Sequence, residues 1–353
     1  MINEEKIKVN GEIELGATIA CSNDALLEFS KTGKKMPLVL IIAGTGSLDR
    51  DGNSMMIKLN VYKELSDFFA GNGYACVRYD KRGTHESKGK ALSQSLTTLT
   101  NDAKSVIEHC KQIPYVDTNN IIVCGHSEGS MIATLLTEKT GVDKIILLGG
   151  AGMSLKDAML FQTDTMLTEA KEGAGFKYWL LRKLIKEDKA KKQIDDLYEK
   201  AEKSKKSWFF YRGGIMPTTY IKEHNQMTSE AYLEILKRYQ GDILAITGTA
   251  DLQADYKRLE TLQELPNATT YAPENINHML KKVSGNNSII DVMKQYQKQI
   301  KIKQSIDAEL LDYIKTWLDN SMLKSAKTTK CVKNKASEPI NERVVDIQVQ
   351  EKE

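Results

Sequence analysis

Ten residues in the first half of the chain read Ile121-Ile122-Val123-Cys124-Gly125-His126-Ser127-Glu128-Gly129-Ser130. The apolar residues 121–124 predict a buried strand, and residues 131–136 continue in a pattern typical of a helix. A Gly-x-Ser-x-Gly motif between a strand and a helix predicts a sharp turn that lifts the Ser127 hydroxyl above the edge of a sheet. The amides at the start of such a helix point towards the place where an oxyanion would form.

Strands and helices alternate on both sides of this turn. Residues 6–21 alternate apolar and polar side chains, which predicts an antiparallel hairpin at the start of the chain. The other predicted strands are 38–43, 74–79, 144–150, 242–248 and 268–271, and the predicted helices between them are 59–71, 94–112 and 254–264. This alternation predicts an α/β protein with a mostly parallel sheet and helices on both faces.

One long segment interrupts the alternation. Residues 153–240 predict a helical, charged insertion with amphipathic segments at 155–171, 176–187, 188–205 and 228–239. We expect a core built from residues 1–152 and 241–322, closed by a helix at 303–321, with residues 153–240 forming a cap over Ser127. The polar residues 323–353 predict a disordered tail. Most apolar side chains of the cap should pack its own interior, while a few, such as Phe161, Trp208 and Phe209, are candidates for substrate binding.

Composition limits the classes of function. The chain of 353 residues is 41% hydrophobic, and its 50 basic and 47 acidic residues leave a net charge of +3. The sequence lacks a basic stripe interleaved with aromatic residues, so it does not predict nucleic-acid binding. Its apolar runs are too short to span a bilayer. The first residues lack the apolar segment of a signal peptide, and the five cysteines include no C-x-x-C pair. These features predict a cytoplasmic protein without a zinc site.

A serine hydroxyl is a poor nucleophile at neutral pH unless a base accepts its proton. His278 lies in a loop after the last predicted strand, where the loops of a parallel sheet meet over one edge. His85, in the loop after the 74–79 strand, is its rival, whereas His126 adjoins the serine and its side chain should diverge from it. We therefore expect His278 to be the base.

An acidic residue is needed to orient the histidine. Asp251 follows the 242–248 strand directly, and Asp255, four residues further on, is the second choice. Along the chain these residues occur in the order serine, acid, histidine (Ser127, Asp251, His278), which is the order found in one particular protein scaffold.

Two amides are needed for an oxyanion hole. We expect one from Glu128, the residue after the serine, and the other from Thr45 or Gly46 in the glycine-rich loop 44–53. Within this loop, Asp49-Arg50-Asp51 should brace the backbone by local ion pairs.

With these motifs, residues 6–321 resemble the α/β-hydrolases, within the group of serine esterases and serine aminopeptidase-like enzymes that carry a helical lid. The similar segments are the oxyanion loop 41–53, the strand and turn 77–83, the nucleophile elbow 125–129, the acid loop 248–253, Asn277-His278, and the aromatic segment 207–211. Two departures affect local geometry. Thr84-His85-Glu86 stands where the family usually has another glycine, and Gly241-Asp242 replaces a usual proline.

The resemblance implies a serine hydrolase that cleaves small carboxylic esters through an acyl-enzyme, with no metal or organic cofactor. An aminopeptidase or an acyl thioesterase on the same scaffold is the nearest alternative. An aminopeptidase would need acidic cap residues aimed at a substrate ammonium group. A relative that binds a ligand without catalysis is the alternative from another class, although it would not require all three of Ser127, Asp251 and His278. The sequence predicts no oligomeric state.

Overall fold

Eight strands form one sheet in the computed structural model, which describes residues 1–55 and 57–321. Their spatial order is β1-β2-β4-β3-β5-β6-β9-β10. The strands are β1 (Ile2–Asn10), β2 (Glu14–Ser22), β3 (Met36–Ile42), β4 (Ala75–Tyr79), β5 (Val116–His126), β6 (Lys144–Leu148), β9 (Asp242–Ile246) and β10 (Ala268–Tyr271). The pairs β1–β2 and β2–β4 are antiparallel and the other pairs are parallel, so the predicted α/β-hydrolase fold is confirmed.

The helices connect these strands and cover the sheet. They are α1 (Asn23–Thr32), α2 (Val61–Gly71), α3 (Leu96–Cys110), α4 (Glu128–Leu136), α5 (Leu155–Glu172), α6 (Phe176–Leu184), α7 (Glu187–Lys203), α8 (Thr218–Gln226), α9 (Ser229–Arg238), α10 (Glu260–Gln263) and α11 (Val292–Lys301). The helices α1 and α11 were not expected from the sequence. Every residue of β4 and β6 is buried, including Arg78 and Lys144, so the two strands show no alternation of apolar and polar side chains.

The register of the central strands brings their carboxyl ends to one edge. Gly125 of β5 pairs with Ile42 of β3 and with Leu147 of β6, and Leu148 pairs with Ile246 of β9. The loops that follow β3, β5, β6 and β9 therefore start at the same edge of the sheet. The expected catalytic and oxyanion residues in or next to these loops are Thr45, Gly46, Ser127, Glu128 and Asp251. His278 follows β10, which pairs in parallel with β9.

The insertion between β6 and β9 contains helices α5 to α9 together with a hairpin of β7 (Trp208–Tyr211) and β8 (Gly214–Pro217). The sequence predicts helical segments in this insertion, and the hairpin was not expected. Its aromatic residues favour a strand, and the two linking residues, Arg212 (φ 47°) and Gly213 (φ 87°), have the positive φ values of a tight hairpin turn. The division into core and cap stays a prediction.

Residues Met1–Leu311 form one unit, and the described residues 312–321 belong to a second. The last described helix covers residues 308–321 and starts later than the predicted 303, because residues 302–307 form a turn after α11. In this turn the Ile306 amide donates to Glu64 Oε2 at 2.7 Å. The predicted tail, 323–353, lies outside the described residues. Within the described ranges, no helix combines the length and the apolar character needed to cross a membrane.

Candidate active site

Ser127 lies at the turn between β5 and α4 with φ 56° and ψ −121°. A non-glycine residue with positive φ is uncommon and is found at functional turns held by their surroundings. A Cβ atom on Gly125 would lie 2.1 Å from the carbonyl oxygen of Gly129, and one on Gly129 would lie 2.1 Å from that of Ile42. The turn therefore requires both glycines of the motif, as the sequence predicts.

Asp251 and His278 are in direct contact. The Nδ1 atom of His278 lies 2.8 Å from Oδ2 of Asp251, and both side chains are buried. The other carboxylate oxygen of Asp251 accepts the backbone amides of Gln253 (2.7 Å) and Ala254 (2.9 Å). This arrangement fixes the carboxylate and leaves the Nε2 atom of the imidazole to act as a base.

The two rival residues lie elsewhere. His85 is exposed and lines a separate polar cavity together with Arg50 and Glu86. Asp255 caps a short helical turn, where its carboxylate accepts the amide of Lys257 at 3.0 Å. The geometry thus favours His278 and Asp251 over His85 and Asp255 as partners of the serine.

Ser127 and His278 line the same cavity, which has a volume of about 230 Å³. Helix α5 of the insertion and the residues before it contribute apolar side chains to the wall of this cavity, and several methionines are among them. The cap and elbow side chains in the lining are Met131, Met153, Leu155, Ala158, Met159 and Gln162. The candidate residues Phe161, Trp208 and Phe209 are absent from this lining; Phe161 lines a neighbouring cavity of about 680 Å³ with Leu252.

Two backbone amides next to the serine are free for an oxyanion. Within the described part of the chain, neither the Glu128 amide nor the Thr45 amide donates to another group. Thr45 lines the serine cavity, whereas Gly46 does not. The amide of Gly44 donates to the Tyr62 hydroxyl at 2.8 Å and is therefore occupied. Of the two expected loop donors, Thr45 is better placed than Gly46.

His126 connects three parts of the site. Its Nε2 atom lies 2.8 Å from the carbonyl oxygen of His278, so this nitrogen carries the proton and donates. Its Nδ1 atom then accepts from the Tyr62 hydroxyl at 3.0 Å, the same hydroxyl that holds Gly44. The neutral imidazole therefore ties the elbow to the histidine loop and to the oxyanion loop. No pattern in the sequence signals this role, because the contact joins residues 152 positions apart.

The low pKa of the buried His126 predicts that the folded protein loses stability in acid. Burial, together with the nearby His278 imidazole, lowers the pKa of His126 from 6.5 to about 3. The unfolded chain takes up a proton below about pH 6.5 while the folded chain does not, so this contribution to stability is present at neutral pH and lost as the pH falls. The amide of a glutamine can replace both hydrogen bonds but does not titrate. When the pH falls from 7 to 5, we therefore expect the unfolding free energy of His126→Gln to drop by about 2 kcal/mol less than that of the wild type.

Urea unfolding of wild type and variant at both pH values measures this difference. His109→Gln on α3 controls for the loss of a histidine. An equal pH dependence of wild type and His126→Gln would contradict the assignment.

A buried ion pair lies directly beneath the serine turn. The Nζ atom of Lys81 lies 2.6 Å from Oε2 of Glu128, and both side chains are at most 3% exposed. Helix α8 of the insertion adds the Tyr220 hydroxyl, which donates to Oε1 of Glu128, and the Nε2 atom of His224 at 3.4 Å from the same oxygen. Burial alone would raise the pKa of Glu128, but the Lys81 ammonium and the His224 side chain together outweigh it and hold that pKa well below its usual range. Glu128 therefore keeps its charge inside the protein.

The segment Asp49-Arg50-Asp51 is braced differently from the prediction. Its ion pairs are not local but reach β4 and the loop after it, since Arg50 contacts Asp80 at 2.6 Å and Asp51 contacts Arg78 at 2.7 Å. Arg50 also contacts Glu86 at 2.7 Å. Ion pairs thus anchor the loop that carries Thr45 to the sheet, in addition to the hydrogen bonds that Asp49 Oδ1 accepts from the amides of Asp51 and Asn53.

A mostly parallel sheet with a strained serine turn and a carboxylate–imidazole pair at its carboxyl edge defines an α/β-hydrolase. The chain belongs to the serine aminopeptidase, S33, family, whose profile matches residues 55–268. The predicted resemblance is therefore confirmed.

The chain is also similar to individual proteins described as esterases or hydrolases. Esterase EstD from Thermotoga maritima is 23% identical over 291 residues, which cover 80% of this chain and 62% of the relative; the chain thus spans less than two thirds of that protein. The structure of Est1E from Butyrivibrio proteoclasticus with ferulic acid matches with a TM-score of 0.51 and 15% identity over 84% of this chain and 98% of that one. The structure of the hydrolase GrgF from Penicillium sp. sh18 matches with a TM-score of 0.51 and 11% identity, and the match covers 85% of this chain and 97% of that one. At such identities the structures show the fold alone.

Proposed function

We propose that this protein is a serine hydrolase that cleaves small carboxylic esters, with Ser127 as nucleophile, His278 as base and Asp251 as the group that orients His278. The observation that carries the proposal is the 2.8 Å contact between Asp251 and His278 beside the cavity that Ser127 shares. Membership of a hydrolase family and the similarity to a protein named as an esterase support it.

The proposed reaction has two halves. The Oγ atom of Ser127 attacks the ester carbonyl carbon while Nε2 of His278 accepts the hydroxyl proton, and the carbonyl oxygen becomes an oxyanion. The amides of Glu128 and Thr45 donate to that oxyanion. The tetrahedral intermediate collapses, the C–O bond to the alcohol breaks, and His278 returns the proton to the departing alcohol. Water then repeats the sequence on the acyl-enzyme, which releases the acid and restores Ser127.

The size and lining of the cavity support a small acyl group. A volume of about 230 Å³ with methionines in the wall suits a short aliphatic chain better than a bulky aromatic one. The same site also fits an aminopeptidase or an acyl thioesterase, because all three reactions use the same nucleophile and oxyanion hole. A ligand-binding relative without activity is the remaining alternative.

The test compares p-nitrophenyl esters of increasing acyl length with acyl thioesters and aminoacyl anilides. We expect the highest kcat/KM for short p-nitrophenyl esters, and the change Asp251→Asn to lower kcat by about 10³- to 10⁴-fold. Asp255→Asn, which changes the rejected acid, is the matched control and should keep wild-type turnover. Faster cleavage of anilides than of esters would overturn the ester proposal, and an enzyme inert to every substrate and to a fluorophosphonate probe would favour a binding protein.

We also propose a cytoplasmic location and the division into core (1–152 and 241–322), cap (153–240) and tail (323–353). The buried, unpaired thiols of Cys21, Cys76, Cys110 and Cys124 support a reducing compartment. Fractionation of cells that produce the protein tests the location.

A further inference from the structure

The cap helix α6 carries an apolar stripe that faces outward. Phe176, Trp179, Leu180 and Leu184 recur at helical spacing on one side of the helix and are 75%, 45%, 40% and 70% exposed. We call these four residues, with Lys183 in the same row, the α6 outer face. Surface helices normally turn such a stripe towards the protein interior, yet no residue of α6 is buried.

Polar contacts on the opposite side hold α6 in this orientation. The Tyr178 hydroxyl donates to Oε1 of Glu169 on α5 at 3.1 Å. The guanidinium of Arg182 donates to the carbonyl oxygens of Ala170 (2.9 Å) and Gly173 (2.8 Å) at the end of the same helix. The helix is therefore attached to the cap through polar groups while its apolar residues meet solvent. Such an attachment indicates that the apolar stripe serves a partner.

The charge around the α6 outer face is positive. Residues 173–186 contain Lys177, Arg182, Lys183 and Lys186 and no acidic residue, and of these four Lys177 pairs with Asp291 at 2.5 Å. Across residues 1–55 and 57–321, neither Lys183 nor Lys186 has a carboxylate oxygen within 4.0 Å, and Nζ of Lys183 lies 4.1 Å from the centre of the Trp179 ring. A partner for this surface must therefore combine an apolar interior with negative charge at its boundary.

We propose that the α6 outer face binds an anionic lipid surface. Phe, Trp and Leu side chains on one face of a helix can enter the boundary of a bilayer while lysines beside them contact the headgroups. The indole ring of Trp179 and the ammonium of Lys183 lie next to each other. In interfacial helices, such rings and cations both lie at the boundary between the lipid chains and the headgroups. The proposal goes beyond ester hydrolysis and does not depend on it.

A second copy of the chain fits this surface less well. In a twofold dimer the same patch meets itself, so the positive charge of Lys183 and Lys186 on one copy would face a patch that is also positive on the other. Interface cores are depleted in lysine, and like charges brought together across an interface are unfavourable. Charge complementarity therefore favours a negatively charged lipid surface over self-association.

The test measures sedimentation of the full chain with vesicles of phosphatidylcholine alone and of phosphatidylcholine mixed with phosphatidylglycerol. We expect the protein to bind the mixed vesicles more tightly, and the double change Trp179→Ser with Leu184→Ser to weaken binding by about tenfold or more. The double change Lys183→Gln with Lys186→Gln should remove most of the preference for phosphatidylglycerol. Both variants should keep wild-type turnover of a soluble ester, which shows that they are folded.

Leu27→Ser is the matched control. Leu27 is 53% exposed on α1, where Asp24 and Glu28 are neighbours, and its loss should leave vesicle binding unchanged. Failure of the wild-type chain to bind mixed vesicles would overturn the proposal, as would equal binding by the Trp179→Ser, Leu184→Ser variant. A concentration-dependent dimer that this variant abolishes, without vesicle binding, would assign the surface to a second copy instead.

Discussion

Replacing Ser127 with alanine is expected to lower kcat for a short p-nitrophenyl ester by about 10⁴-fold or more. The change removes the atom that would form the acyl-enzyme, so the two-step reaction becomes impossible. The proposed oxyanion amides of Glu128 and Thr45 remain, and they should leave a residual rate above that of the uncatalysed reaction. Steady-state kinetics, combined with labelling by a fluorophosphonate probe, measures the loss, and the probe should no longer label the variant.

The controls separate chemistry from folding. Ser93→Ala removes an exposed hydroxyl that donates to the carbonyl oxygen of Lys90, and it should keep wild-type kinetics. His278→Ala should lose activity about as severely as Ser127→Ala, whereas His85→Ala, which removes the rival histidine, should not. Unfolding curves of Ser127→Ala should match those of the wild type, because Ser127 is only partly buried. Turnover retained by Ser127→Ala would refute the assignment of the nucleophile.

Replacing Lys81 with methionine is expected to lower the free energy of unfolding by about 3–5 kcal/mol. The methionine fills similar volume but leaves the Glu128 carboxylate buried without its cation, which is far more costly than losing both partners. The Tyr220 hydroxyl and His224 still face that carboxylate, but the Lys81 ammonium that helps to hold its pKa low is gone. Because the amide of Glu128 is a proposed oxyanion donor, the variant should also have a lower kcat.

Urea unfolding at neutral pH measures the effect. Lys237→Met, which breaks an exposed ion pair with Glu234 at 2.8 Å, is the control and should change stability far less. The double change Lys81→Met with Glu128→Gln should recover part of the stability, because it removes the charge that the single change leaves unpaired. If Lys81→Met unfolds at the same urea concentration as the wild type, the pair does not stabilise the fold.

Much of the site could be predicted from the sequence because its signals are local. The motif around Ser127 needs two glycines, since Cβ atoms there would lie 2.1 Å from backbone oxygens. The acid and the histidine each follow a recognisable strand, and parallel strands deliver the loops after them to one edge. Their roles stay predictions until the variants are measured.

Other features depend on contacts between distant positions. The His126 bridge, the Lys81–Glu128 pair and its contact with Tyr220 join residues that no spacing rule relates. The β7–β8 hairpin was missed because its charged surroundings suggest helices, while its pairing depends on the turn at Arg212 and Gly213.

The sequence by itself determined the alternation of strands and helices and the position of the serine turn, because hydrophobic periodicity and glycine sterics act over a few residues. Only the tertiary structure decided which histidine meets Asp251, which loop amides are free and which face of α6 points outward. These outcomes depend on how separate elements pack. Packing brings together side chains whose separation along the chain does not predict their distance in space.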